Sequence, residues 1–494
     1  MNKILKTMAA ALLTIPVLTG CYDDKGNYDY ISDEEAMPVK IASLESITAK
    51  ANQELNITPT LSGTESGNYD YVWYTIANEY PYEADTLSHD RDLKADLALK
   101  VGKYKLYYRV TNQKNGVYTS VNTPLTVTAT DITSGWYVMK QTGRGVDFDY
   151  FSLSGTSDKK DFLTAVLGID GMKGNPIGMM YQASGYGHET INPDGTTTTE
   201  SNLTALHIVT NQDYITLNGS DLSVLNELKD QFYDMPEKID FSYIGQEDYQ
   251  QILINNGKKH ALGSIGKWGY QEAGDYDLYP EVIYAGFDDV VFDRKSRSFY
   301  DVGPWASGLE ACPDMSTGMA FSEFADKNLQ LNRLVVHVNN NYTPDCFVLM
   351  HDPAENKDYV VNVGFFSNYV YNVTYYDVPA SCKLFDAQVM AAPQSASVIY
   401  FADGNKLYMY RVATGDVREM KQFAQDENIA FIQNITGKEA DGTAFDDVVV
   451  ITNTASDYNV YRFPTIGSAG ELNTNVQPCM SGTGLASKLM FRQE

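Results

Sequence analysis

The sequence predicts an all-β protein: an N-terminal immunoglobulin-like sandwich followed by a β-propeller, with seven blades as the favoured count. Two observations carry this. Between Met37 and Thr130, short runs of alternating polarity are separated by turn-rich segments. From Asp131 onward a strand–turn–strand unit recurs at intervals of roughly 40 to 60 residues, the period of propeller blades.

The first element of the 494-residue chain is a leader at residues 1–20. Lys3 and Lys6 form a basic start, and Met8–Val17 is an apolar core. Leu18-Thr19-Gly20 then sets small residues directly before Cys21, which suits signal-peptidase cleavage followed by lipid attachment to the thiol. Cys21 is therefore the expected lipid-attachment residue. The competing reading is an ordinary secretory signal with a chance cysteine. No later apolar run reaches 18 residues, so the expected membrane link is the lipid itself, and multiple acyl chains give a stable anchor. Residues 21–36 follow as an acidic tether, with Tyr22–Glu35 reading YDDKGNYDYISDEE.

The sandwich is expected over residues 37–130. Its strands are read at Glu54–Thr60, Tyr69–Ile76, Gly102–Thr111 and Thr123–Ala129. About ninety residues of short alternating strands suit such a fold. Trp73, central in the second run, reads as a core residue in preference to a ligand platform.

The propeller is expected over residues 131–494. Its seven hairpin units are Gly135–Leu153, Ala205–Leu217, Gln250–Leu262, Asp289–Val302, Asp345–Val363, Ser397–Val412 and Asp446–Pro464. In the sixth, Asp403-Gly404-Asn405 supplies the hairpin turn. Phe287-Asp288-Asp289-Val290-Val291 recurs as Phe445-Asp446-Asp447-Val448-Val449, an offset close to three blades. Six or eight blades are the alternatives, and a second large sandwich is the competing fold. Two segments break the repeat. Gly185–Asn202 is polar and offers no candidate strand. Asp221–Phe232 spaces Leu222, Leu225, Leu228 and Phe232 along one helical face, ending before Pro236, which predicts a short helix.

Composition bounds the function. The formal charge is −27, and once Lys3 and Lys6 leave with the leader, 64 acidic residues face 35 basic ones. Such a surface repels phosphate backbones and excludes nucleic acid as an expected partner. Of five cysteines, Cys312, Cys346, Cys382 and Cys479 remain after Cys21; none forms C-x-x-C, and their pairing is left open between disulfides and free thiols. The six histidines show no H-x-H or H-E-x-x-H spacing, and His207 and His337 read as strand residues. There is no G-x-S-x-G elbow and no complete phosphate loop. Asp352–Asp358 and Asp275–Asp277 offer oxygens without an EF-hand's spacing, and read as turn carboxylates. No catalytic residue, cofactor or metal is expected.

One candidate ligand site remains. Gly266–Pro280 sets Trp268, Tyr270, Tyr276 and Tyr279 among glycines and acids in a loop-like stretch, and Trp305 sits in the turn Gly303–Gly308. Aromatic rings stack on sugars while neighbouring carboxylates bond hydroxyls, so Trp268, Tyr270, Tyr276 and Trp305 are the candidate ligand-binding residues. Rings tucked between blades are the alternative.

The V-W-Y run followed by G-x-Y-x-L-Y-Y-R-V resembles PKD-type domains. Together with the post-cysteine D-D-K-G-N-Y-D-Y and Ser134-Gly135-Trp136-Tyr137-Val138, the chain resembles the PKD-like family lipoproteins of Bacteroidota. Acidic residues just behind the lipidated cysteine resemble the surface-export signal of those organisms. The resemblance implies an outer-membrane lipoprotein facing the cell exterior. It also implies an accessory role beside a TonB-dependent transporter or SusD-like protein in glycan or peptide uptake, as in polysaccharide utilization. It brings no catalytic motif. Three functions follow: a non-enzymatic binding protein, a propeller-type polysaccharide hydrolase or lyase, and a structural subunit of an outer-membrane complex.

Overall fold

In the computed structural model, the described residues are 31–493, apart from 52, 65–66, 79–81, 83, 98, 100, 129–133, 154, 156–157, 192–194, 248–249, 286–287, 304–307 and 338–344. Cys21 and Trp305 lie outside them.

The N-terminal sandwich has one five-stranded sheet in the order Ile47–Lys50, Tyr118–Thr128, Gly102–Asn112, Tyr69–Ala77, Ala84–Ser88. The opposing layer is made of two short pairs, Glu54–Ile57 with Leu93–Asp96 and Lys40–Ile41 with Leu61–Ser62. Period-two alternation in Gly102–Asn112 turns Leu106, Tyr108 and Val110 inward. Trp73 is a core residue, as expected: it is fully buried, its ring lies 4.1 Å from that of Tyr108, and its Nε1 donates to the Arg91 carbonyl at 3.3 Å.

Among the described residues, seven further sheets form a ring. Blade 1 joins Leu485–Arg492 to Gly135–Thr142 and Gly145–Ser152, so both ends of the propeller build one sheet. Blades 2 to 6 are four-stranded meanders beginning with Pro176–Ile191, Phe241–Glu247, Leu278–Tyr284, Gln330–His337 and Met390–Ala391. Blade 7 begins with Asn428–Lys438 and continues through Ala444–Asn453 and Asp457–Ile466. The innermost strand of each blade adjoins that of the next, around to blade 1, and the circle closes. The propeller therefore has seven blades.

Packing explains why. Apart from the sandwich core, the buried apolar residues divide into seven clusters, one between each pair of adjacent blades. The second strand of a blade feeds two of them by alternation. In Asp345–Asp352, Cys346, Val348 and Met350 face blade 4, whereas Phe347 and Leu349 face blade 6. A strand buried on both faces reads as an unbroken apolar run. The seven expected hairpins are the second and third strands of the seven blades. Within the F-D-D-V-V repeat, Asp289-Val290-Val291 and Asp447-Val448-Val449 fall on the second strands of blades 4 and 7, three blades apart.

Blade 1 is locked where the two ends meet. Lys140 and Asp149 are fully buried and pair at 2.7 Å, and Lys140 also reaches Asp161 at 2.8 Å. Tyr458 of blade 7 donates its hydroxyl to Asp149 at 2.5 Å. Burial works to lower the Lys140 ammonium's pKa, but its bonds to Asp149 and Asp161 hold it above its usual value.

Two expectations are corrected. Asp221–Phe232 is no amphipathic helix: Val224–Glu227 is the outer strand of blade 2, followed by a single tight turn at Leu228–Asp230. Leu222 packs into the core between blades 1 and 2, and Phe232 into that between blades 2 and 3, so the helix-like spacing serves two opposite cores. Gly185–Asn202 is not strandless either. Pro176–Ile191 and Thr197–Thr210 pair as a long hairpin out to Ile191 opposite Thr197. A side chain at Gly187 would collide with the Ser264 carbonyl, so glycine lets this hairpin lie against blade 3. The hairpin also reaches the sandwich, where Glu200 pairs with Lys103 at 3.4 Å.

Candidate functional site

The seven innermost strands each spend one edge on their blade and turn the other to the propeller axis. Segments 176–179, 242–244, 280–281, 333–336, 388–394, 430–434 and 487–489 surround a channel of about 700 Å3. Small-molecule sites span roughly 300–1,000 Å3. The amide- and hydroxyl-bearing residues Gln388, Gln394, Gln433, Asn434, Ser242 and Ser487 line it, the Asn434 amide being spent on Asp446 Oδ1 at 2.6 Å and the Asp447 carbonyl at 3.2 Å. Three charged residues join them: Glu281 from blade 4, Arg333 from blade 5 and Lys488 from blade 1.

Glu281 is exposed to the channel, which the surrounding blades enclose. That enclosure pushes its carboxyl above the usual carboxylate value, and the positive charges of Lys488 and Arg333 oppose the shift only in part. Arg333 donates from Nη1 to the Gln388 carbonyl at 2.9 Å, while its buried Nε has no partner among the described residues. Glu281 is the one carboxylate among the channel's described lining residues. Hydrolytic glycoside chemistry pairs two carboxyl groups roughly 5 to 10 Å apart, and this lining does not assemble such a pair.

The sequence-selected aromatics do not form one surface. Trp268 is fully buried between blades 2 and 3, and its Nε1 donates to the Tyr214 hydroxyl at 3.1 Å. Tyr276 is 4 % exposed, donates to the Glu272 carbonyl at 2.6 Å and lies under the Lys258 ammonium at 3.9 Å. Both are core residues, which corrects the reading of Gly266–Pro280 as an exposed aromatic stretch. The glycines around Trp268 suggested a loop, but Trp268–Gln271 is the outer strand of blade 3. Tyr270 on that strand is 75 % exposed.

Other candidates resolve structurally. His207 is fully buried; its Nδ1 lies 2.9 Å from the Tyr214 hydroxyl and 3.2 Å from Thr216 Oγ1. Burial pushes its pKa down to about 3. Asp352 accepts from the Ala354 amide at 2.8 Å, a turn role, and Asp275 and Asp277 pair with Lys295 and Arg294. Cys312, Cys346, Cys382 and Cys479 are free thiols, the first two buried in the core between blades 4 and 5. Among the described residues, no group of three or more His, Cys, Asp or Glu side chains is placed to hold a metal. No helix in the described residues is long and apolar enough to cross a membrane.

The channel lining escaped sequence reading because its residues are scattered over seven separate segments, two to six at a time.

Residues 21–176 match the PKD-like family, a span that covers the sandwich and runs on through two strands of blade 1. The chain's N-terminal part is thus PKD-like. No curated protein matches the chain. Among solved structures, it is similar to a quinoprotein alcohol dehydrogenase-like protein from Bacteroides thetaiotaomicron, at 13 % identity over 90 % of this chain and 96 % of that one, with a TM-score of 0.49. A protein of unknown function from Bacteroides caccae aligns at 9 % identity over 57 % of this chain and 96 % of its own, with a TM-score of 0.30.

Proposed function

We propose that this protein is a surface-exposed outer-membrane lipoprotein that captures a glycan or peptide without transforming it, beside a TonB-dependent transporter or SusD-like partner. The PKD-like sandwich spaces the propeller from a lipid on Cys21. The observation that carries the binding reading is the channel. It presents amides, hydroxyls and three charges from all sides of a closed ring, yet holds a single carboxylate among its described lining residues. Such a lining suits recognition of a polar ligand better than two-carboxylate hydrolysis. The anchor rests on Leu18–Cys21 and the acidic tether behind it.

Two measurements test this. Protease added to intact cells removes the protein, and Cys21→Ser releases it from membranes; protection from protease would contradict outward display. The purified mature chain retards on immobilised polysaccharide or peptide and releases it chemically unchanged. Cleavage products would favour the hydrolase or lyase. Retardation by nothing, with co-purification of a transporter, would favour a structural subunit.

A further inference from the structure

Glu281, Arg333 and Lys488 reach one channel from three different blades, and none pairs with another. Among the described residues, no ion pair or side-chain hydrogen bond occupies Glu281 or Lys488, and Arg333 spends only Nη1, on a backbone carbonyl. The buried Nε of Arg333 is left without an acceptor. An unmet guanidinium donor in a confined site is costly unless something supplies the oxygen. The three charges sum to a local excess of one positive charge inside a chain of formal charge −27. A positive focus within an acidic body selects anions that fit the channel and turns them away elsewhere.

We infer that the channel binds an acidic oligosaccharide, its uronate carboxylate held between Arg333 and Lys488 and its hydroxyls bonded by Glu281 and the surrounding amides. The inference rests on the binding-protein reading and narrows it to one ligand class. Guanidinium and ammonium donors complement a carboxylate. Gln394, Gln433 and Ser487 can donate to and accept from hydroxyl groups, which a sugar presents on every ring. Glu281, acceptor-only when ionised, takes hydroxyl protons and repels a second anionic group, so it fixes which end of the ligand faces blade 4.

Titration calorimetry of the mature chain with trigalacturonate, triglucuronate, maltotriose and an acidic tripeptide tests this. At least one uronate trimer binds tenfold or more tightly than maltotriose. That preference falls about tenfold in Arg333→Gln and again in Lys488→Gln, while Glu281→Gln keeps or raises it. Thermal melting checks that each variant is folded, and Lys488→Gln serves if Arg333→Gln is not. Equal binding of neutral and acidic trimers would overturn the inference and leave the channel as a glycan site. Preference for the tripeptide would overturn it in favour of peptide capture. Absence of binding to all four probes would overturn the channel reading as well.

Discussion

The inner hairpin of each blade and the innermost strand obey different rules. The first strand of each hairpin has neighbours on both edges and apolar cores on both faces, so nearly every residue is fixed by packing: Val448, Val449, Val450 and Ile451 are all fully buried. The innermost strand pairs on one edge only, and polar residues can stand along the axis beside apolar ones. In Asn428–Lys438, buried Ile432 is followed by exposed Gln433 and half-buried Asn434. One set of strands holds the ring together; the other is free to carry recognition. Stability and binding should therefore respond to different substitutions.

The strongest way to break the ring is at its closure. Asp149→Ala leaves the Lys140 ammonium buried with one partner fewer and removes the acceptor of Tyr458. Breaking a buried pair costs about 3–5 kcal/mol, and chemical denaturation should show a loss of that size. Next comes Trp268→Ala, which empties a fully buried site between blades 2 and 3. A loss of about 3 kcal/mol is expected, with channel binding retained by the folded fraction. Loss of binding without loss of stability would restore Trp268 as a ligand platform.

A pH titration of stability separates the regions more gently. The pKa of His207 is held down at about 3 against an ordinary 6.5, so the unfolded chain takes up a proton that the folded chain refuses. Its contribution is complete above pH 6.5 and declines as pH falls toward 3, by about 1.4 kcal/mol per unit. Denaturant melts across this window should show that slope, and His207→Gln should flatten it. The smallest effect is expected at Tyr270→Ala: an exposed outer-strand ring far from the axis changes stability by less than about 0.5 kcal/mol and leaves channel binding unchanged.

The same contrast explains what could be read from the sequence. The seven hairpins were legible because burial on both faces writes apolar runs such as Val398–Ala402, and Asp403-Gly404-Asn405 marks the turn between them. The long hairpin of blade 2 was missed because Thr196–Thr199 favours strands without any apolar alternation to announce it. Leu222 and Phe232 imitated a helix because two cores on opposite sides of a blade sampled the same stretch. The channel was illegible in principle: Glu281, Arg333 and Lys488 are separated by many tens of residues and meet only when the ring closes.

Hydrogen–deuterium exchange of the mature chain, with and without a uronate trimer, tests most directly the claim that recognition belongs to the innermost strands. Slowed exchange is expected in peptides covering 280–281, 333–336, 388–394, 430–434 and 487–489, with the strand bearing Tyr270 and the sandwich unchanged. Protection confined to the Tyr270 strand or to the sandwich, with the channel segments unaffected, would contradict it.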